Sequence, residues 1–256
     1  MKVVILAGGL GTRLAEETET KPKPMVEVGG RPILWHIMKH FAHYGLEDFT
    51  VALGYKGESI KRWFIDYVSL SGPMTVDLGR GSVIHPHPEC ESWRVELQDT
   101  GLGTNTGGRL RRLRPSLIDG TFIVTYGDGV CDVDLGALLR FHRAQGKLAT
   151  VTAVRPPARF GGIYFDGPLV ARFTEKPQAG EGWINGGYIV MEPGALELVA
   201  GDATSLEAEV LEHLARERQL AAFAHEGFWQ CMDTLRDKRL LDSLWESGKA
   251  PWKVWR

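Results

Sequence analysis

Val3-Val4-Ile5-Leu6-Ala7-Gly8-Gly9-Leu10-Gly11-Thr12-Arg13 is a short apolar strand that runs straight into a glycine-rich turn ending on a cation. Glycines at such a turn let backbone N–H groups come close to phosphate oxygens. Arg13, with Lys21 and Lys23 from Lys21-Pro22-Lys23-Pro24, can neutralise charge that builds up as a phosphoryl bond breaks. The pattern suits a nucleoside triphosphate. Two better-known glycine loops fit less well. The dinucleotide fingerprint needs a third glycine where Leu14 stands, and the ATPase-type loop needs a lysine next to its glycine where Thr12 stands. A Gly-Gly pair more often makes a plain tight turn. Its place after the first strand, with a basic cluster behind it, favours phosphate.

Working outward, strand-like runs at 3–6, 49–53, 121–125 and 149–153 alternate with helix-like segments at 33–44, 58–67 and 135–145. That alternation predicts a parallel-rich sheet covered by helices on both faces, a doubly wound α/β fold with ligands beyond the carboxyl ends of the strands. Both 7–13 and 126–129 leave strands at that edge. The second half is less regular, with short strands expected at 162–165, 170–175 and 187–192 and helices at 206–218 and 234–247. No repeat, low-complexity linker or shift in composition marks a boundary. The expectation is one domain over 1–256, with a small β-rich lobe drawn mainly from 150–235 and a C-terminal helix and tail at 234–256.

A chain of 256 residues, 43% hydrophobic, can bury a full core, and a net charge of −2 gives no reason to expect nucleic acid or an anionic membrane as partner. The one dense basic run, Arg109-Leu110-Arg111-Arg112-Leu113-Arg114, reads as a solvated helix face apart from Arg109. Cys90, Cys131 and Cys231 lack CxxC spacing and fit a reducing cytoplasm, as does the absence of a signal-like or membrane-length apolar segment. Cys231 reads as a small buried thiol rather than a nucleophile. His85-Pro86-His87 has no third ligand nearby and reads as surface, and His36 reads as core-facing. The late tryptophans Trp229, Trp245, Trp252 and Trp255 read as anchors for a tail or subunit contact.

Gly8-Gly9-Leu10-Gly11-Thr12-Arg13 followed by Lys21-Pro22-Lys23-Pro24-Met25 resembles the signature of the sugar-1-phosphate nucleotidyltransferase family. Thr106-Gly107-Gly108-Arg109, Thr125-Tyr126-Gly127-Asp128-Gly129, Ile184-Asn185-Gly186-Gly187 and the stretch 227–238 extend the likeness over almost the whole chain. The resemblance implies a Rossmann-like mixed sheet of the nucleotidyltransferase (GT-A-like) type and a homo-oligomer. It also implies cytidylyl transfer from CTP to α-D-glucose 1-phosphate, releasing pyrophosphate.

Asp128 has a glycine on each side, and on its own it would read as a turn aspartate. The resemblance pairs it with Asp233 around one Mg²⁺. It also implies catalytic roles for Arg13, Lys23, Asp128 and Asp233. Nucleotide contacts fall to Leu6, Ala7, Gly8, Gly9, Leu10, Gly11, Thr12, Arg13, Lys23, Thr104, Gly108, Arg109 and Asp128. Arg109 would donate to cytosine O2 or N3. Tyr126, Gly161, Glu175, Lys176, Asn185 and Gly186 would hold the sugar phosphate, with Phe160 and Trp183 packing around the ring. The chain departs from the family pattern at 203–211 and 72–91. Three alternatives stay open: transfer from dTTP or UTP, a noncatalytic nucleotide-sugar sensor on the same fold, and a glycosyltransferase.

Overall fold

Val3, Val4 and Ile5 are wholly excluded from solvent, as a strand must be when it lies mid-sheet with both faces covered. The computed structural model describes residues 1–9, 11, 14–84, 90–156, 162–166, 169–174 and 182–255. The strands β1 (Lys2–Ala7), β2 (Asp48–Leu53), β3 (Arg94–Asp99), β4 (Phe122–Tyr126), β5 (Ala149–Val154), β6 (Ile184–Met191) and β7 (Leu220–His225) form one sheet. Their order is β7-β5-β6-β4-β1-β2-β3. β1 runs parallel to β2 and β4, β2 to β3, and β5 to β7. β6 is antiparallel to both of its neighbours, β5 and β4. The sheet is therefore mixed, and three of its strands come from the second half of the chain.

The sheet is covered by α1 (Ile33–His43), α2 (Gly57–Ser69), α3 (Thr106–Leu113), α4 (Leu135–Gln145) and α5 (Leu235–Glu246). Alternation along β1 sorts its side chains between two cores. Val3, Ile5 and Ala7 join Ile33, Ile37 and Phe41 of α1, whereas Val4 and Leu6 join Leu110 and Leu113 of α3. Smaller antiparallel pairs decorate this frame, and the pairing of Trp229–Cys231 with Gly129–Cys131 proves the most consequential.

Several segments differ from the sequence expectation. β3 and β7 went unpredicted: β3 is an edge strand rich in charge, and β7 is rich in alanine, so neither shows a strong apolar period. The helix expected at 206–218 begins as a π-helical turn, Leu206–Leu211, before an α-helical Glu212–Arg216. The basic run of α3 is solvent-facing as expected at Arg111 and Arg112, and it also holds partners at the surface. Arg112 forks onto the Asp202 carboxylate at 2.5 and 3.0 Å, Arg111 donates to the Ala200 carbonyl at 2.5 Å, and Arg114 pairs with Glu197.

The C-terminal tryptophans anchor the tail. Trp252 is fully buried, stacked near Phe228 and Trp245, and its indole N–H donates to His36 Nδ1 at 3.4 Å. His36 is core-facing as expected, with Nε2 donating to the Val28 carbonyl at 2.8 Å. Among the described residues no helix is long and apolar enough to cross a membrane.

Candidate active site

A cavity of about 410 Å³ opens beyond the carboxyl ends of β1 and β4, where a doubly wound sheet places its ligands. Its floor is Leu6, Ala7, Gly8 and Gly9 from β1 and its turn, with Tyr126, Gly127 and Asp128 from β4. The two exits are tied together by a hydrogen bond from the Gly127 amide to the Leu6 carbonyl, 3.1 Å.

Arg109 braces this floor from behind. Its guanidinium is 4% exposed and donates to the carbonyls of Leu53 (2.9 Å), Gly101 (2.9 Å) and Gly8 (3.1 Å) and to Thr100 Oγ1 (2.7 Å). One planar fork thus joins the turns after β1, β2 and β3. A Cβ at position 8 would sit 2.1 Å from Arg109 Nη1, so the first glycine of the loop is dictated by this guanidinium. Arg109 borders the cavity as expected. Its Nη1 hydrogens are shared among three oxygens and Nη2 donates to the Gly8 carbonyl, so the guanidinium braces these loops from its place on the cavity lining.

Lys23 reaches the cavity from a 3-10 turn, Lys23–Met25, held between Pro22 and the buried Pro24. Its ammonium lies 2.6 Å from Asp128 Oδ2 and 2.5 Å from Asp233 Oδ1. Burial opposes the charge on Lys23, but the two carboxylates outweigh it and hold its pKa above the ordinary lysine value.

The meeting of two carboxylates so far apart in sequence has a visible cause. Trp229–Cys231 pairs with Gly129–Cys131, and the Met232 amide then donates to the Asp128 carbonyl at 2.8 Å, which brings Asp233 beside Asp128. Asp233 is held at the start of α5 by Asp237, whose carboxylate accepts from the amides of Asp233 (3.1 Å) and Thr234 (2.9 Å). Oxygen donors converging on one positive centre are the donor set of a hard divalent cation, and Asp128 and Asp233 would hold it. Lys21, by contrast, pairs with Glu27 at 3.8 Å and does not line the cavity.

Beside Tyr126, Asn185 Nδ2 donates to the tyrosine hydroxyl at 3.4 Å, and Asn185 Oδ1 accepts from the Gly187 amide at 2.9 Å. Gly187 has φ +82°, and a Cβ there would lie 2.5 Å from the Tyr126 ring, so a side chain would expel the tyrosine. Gly186 and Gly108 do not reach the cavity. The Gly186 carbonyl accepts from the Trp229 indole at 2.8 Å, and Gly108 packs so closely on Asp202 that a Cβ would lie 2.3 Å from its carbonyl oxygen. Trp183 is 42% exposed, with the Arg155 guanidinium 4.7 Å from its ring. Leu10, Thr12, Arg13, Phe160, Gly161, Glu175 and Lys176, like His85 and His87, lie outside the described residues.

Thr104 and Thr106 also line the cavity wall. Sequence reading missed Glu207, which sits behind that wall and accepts from Thr106 Oγ1 at 2.6 Å and from the Tyr126 hydroxyl. Cys231 is an inert thiol: burial, then the Asp233 and Asp128 charges, push its pKa up to about 12. Cys131, Asp132 and His225 also cluster. There Asp132 binds the Phe228 amide (2.7 Å) and His225 (2.9 Å), and burial keeps the Cys131 thiol protonated, so the group works as a loop tie.

The nucleotidyl transferase family model matches residues 2–237, and the chain belongs to that family. Over the full length of both chains it is 51% identical to a glucose-1-phosphate cytidylyltransferase of Salmonella typhi. It is 39% identical, again over both full lengths, to a probable glucose-1-phosphate cytidylyltransferase of Bacillus subtilis. A mannose-1-phosphate guanyltransferase of Saccharomyces cerevisiae is 32% identical over 93% of this chain and 62% of that one. Among solved structures, HddC of Yersinia pseudotuberculosis shares the fold with a TM-score of 0.68 at 23% identity, covering 95% of this chain and 99% of the other.

Proposed function

We propose that the chain transfers the cytidylyl group of CTP to α-D-glucose 1-phosphate, forming CDP-glucose and pyrophosphate. The observation that carries nucleotidyl transfer is the convergence of Lys23, Asp128 and Asp233 at the mouth of the glycine turn. The choice of CTP and glucose is supported by the 51% full-length identity. A sugar-phosphate oxygen attacks the α-phosphorus, the bond from that phosphorus to the bridging oxygen breaks, and pyrophosphate leaves with the electron pair. The attacking phosphate is already an anion, so no protein nucleophile is needed. The protein's tasks are to align two anions and to offset their repulsion.

Gly8, Gly9 and Gly11 line the phosphate end with Lys23, and Arg13 belongs to the same loop. Asp128 and Asp233 would hold Mg²⁺, which supplies Lewis-acid neutralisation of the triphosphate when bound. Lys23 then turns from the carboxylates toward the α-phosphate. We take 1–256 as one domain with its sugar lobe after residue 150, working in a reducing cytoplasm that keeps its cysteines free. A homo-oligomer is supported by apolar side chains left in water on α2 and a neighbouring hairpin: Ile65, Val68, Val76, Leu78, Val83 and Ile84.

The test is pyrophosphate release by the purified protein with Mg²⁺ and glucose 1-phosphate, offering CTP, dTTP and UTP in parallel. A rate with CTP far above the others supports the reading. Equal rates remove the cytosine preference, and silence with all three removes the reaction.

A further inference from the structure

The segment that carries Glu207 is fixed from two directions. Leu206 and Val210 of the π-helical turn Leu206–Leu211 are fully buried in the core. On its other side the same segment is stapled to the N-terminus of α3: the Asn105 amide donates to the Asp202 carbonyl (2.8 Å), the Gly108 amide to the Thr204 carbonyl (3.2 Å), and the Leu206 amide to Thr106 Oγ1 (2.9 Å). Glu207 therefore has little freedom to choose its partners. Oε2 accepts from Thr106 Oγ1 at 2.6 Å and from Ser205 Oγ at 3.0 Å, and Oε1 accepts from the Tyr126 hydroxyl at 2.5 Å. Tyr126 and Thr106 line the cavity, while Glu207 stands one layer behind them.

The chemistry of these groups fixes the direction of every hydrogen bond in the chain. A carboxylate accepts only, and a phenol has one proton and two lone pairs. The Tyr126 proton is therefore committed to Glu207. The Asn185 amide is oriented by the Gly187 N–H on its oxygen, so its nitrogen donates to the phenol and fills one lone pair. What Tyr126 still offers the cavity is a single acceptor. Two further observations agree with this. Burial opposes the charge on Glu207, but the bonds from Thr106, Tyr126 and Ser205 hold its carboxyl below the ordinary value. Burial, with Glu207 close by, raises the Tyr126 phenol well above its ordinary value.

We propose that Glu207 is a positioning residue for sugar recognition: by accepting the Tyr126 O–H hydrogen bond it leaves the phenol oxygen to the cavity as an acceptor that reads one hydroxyl of the sugar phosphate. The inference rests on the proposed sugar-phosphate transfer and adds to it a group that never touches the substrate. It also gives the divergent segment 203–211 a task, since the turn that differs from the family pattern is the one that aims Glu207. Selectivity follows from the polarity: an analogue lacking that hydroxyl leaves the Tyr126 oxygen dry and unpaired, a larger penalty than loss of one apolar contact.

The test is a double-mutant cycle on the full chain with Mg²⁺ and CTP, comparing wild type, Tyr126→Phe, Glu207→Gln and the double variant. Glucose 1-phosphate and its monodeoxy analogues are the probes. Expected is a rise of about tenfold in the KM for glucose 1-phosphate in each single variant, with kcat changed much less, and a double variant no worse than Tyr126→Phe. Wild type should reject one monodeoxy analogue, and Tyr126→Phe should lose that preference. The deoxy comparison needs only Tyr126→Phe, so even where Glu207→Gln folds poorly the acceptor that Glu207 is inferred to create is tested, and its absence overturns the inference.

Multiplicative KM effects in the double variant, an unchanged KM in Glu207→Gln, or intact deoxy-sugar discrimination in Tyr126→Phe each overturns the inference while wild type stays active. Wild type silent with every triphosphate removes the proposed reaction, and the inference with it.

Discussion

Replacing Lys23 by Met takes away the cation that Asp128 and Asp233 share, and with it the charge proposed above to follow the α-phosphate during transfer. If Lys23 acts mainly in the transition state, kcat should fall by about a hundredfold or more while the KM for CTP moves only a few-fold. Lys21→Ala should stay close to wild type, because Lys21 faces Glu27 rather than the cavity. Steady-state kinetics on both variants checks the contrast, and equal losses would refute it. At the neighbouring strut, Arg109→Lys cannot reproduce a fork that binds three loops. About 2–3 kcal/mol of stability should be lost in urea unfolding, with a weaker hold on nucleotide, because buried carbonyls lose a charged partner.

At the scale of elements, α5 works as a bracket for Asp233. Thr234 and Asp237 form a reciprocal capping box, and Asp237 also accepts from the Asp233 amide. Asp237→Ala should cost about 1–2 kcal/mol in urea unfolding and lower kcat several-fold, since the helix start that aims Asp233 loosens. An unchanged kcat at reduced stability would show that Asp233 is held by other means. The sequence made this end of the site only partly legible. β1, α1 and α4 were readable because apolar period and punctuation agree there, and the glycine turn could be read because Gly8-Gly9 follows a strand. Asp233 could be found only through a family likeness, since its approach to Asp128 depends on a three-residue strand pair with no periodicity of its own. Glu207 was invisible: a glutamate in a helix-like run reads as surface until the turn that bears it proves to be π-helical. Arg109 was noticed for its charge, but its bracing partners are mostly backbone carbonyls, which leave no mark in a sequence.

For the whole molecule, two histidines make stability depend on pH. Burial lowers both His36 and His40 from the ordinary 6.5 to about 4. Between those values the unfolded chain binds protons that the folded one refuses, so stability is complete above the unfolded value and falls as pH drops toward the folded one. At pH 5 each histidine should cost about 2 kcal/mol relative to pH 7.5. Urea unfolding at the two pH values measures the difference, which His36→Gln or His40→Gln should reduce. A wild-type midpoint that does not move would refute the account.

His36 also receives the indole of Trp252, and that contact spans nearly the whole chain. On a ribosome, α1 is made more than two hundred residues before the tryptophan that closes over it, a separation of 216 positions. Residue 252 must therefore have been made before α1 has its native surroundings. A product that stops short of residue 252 would leave His36 and Phe228 without their lid. Cellular proteases should thus be able to tell chains that carry Trp252 from those interrupted before it.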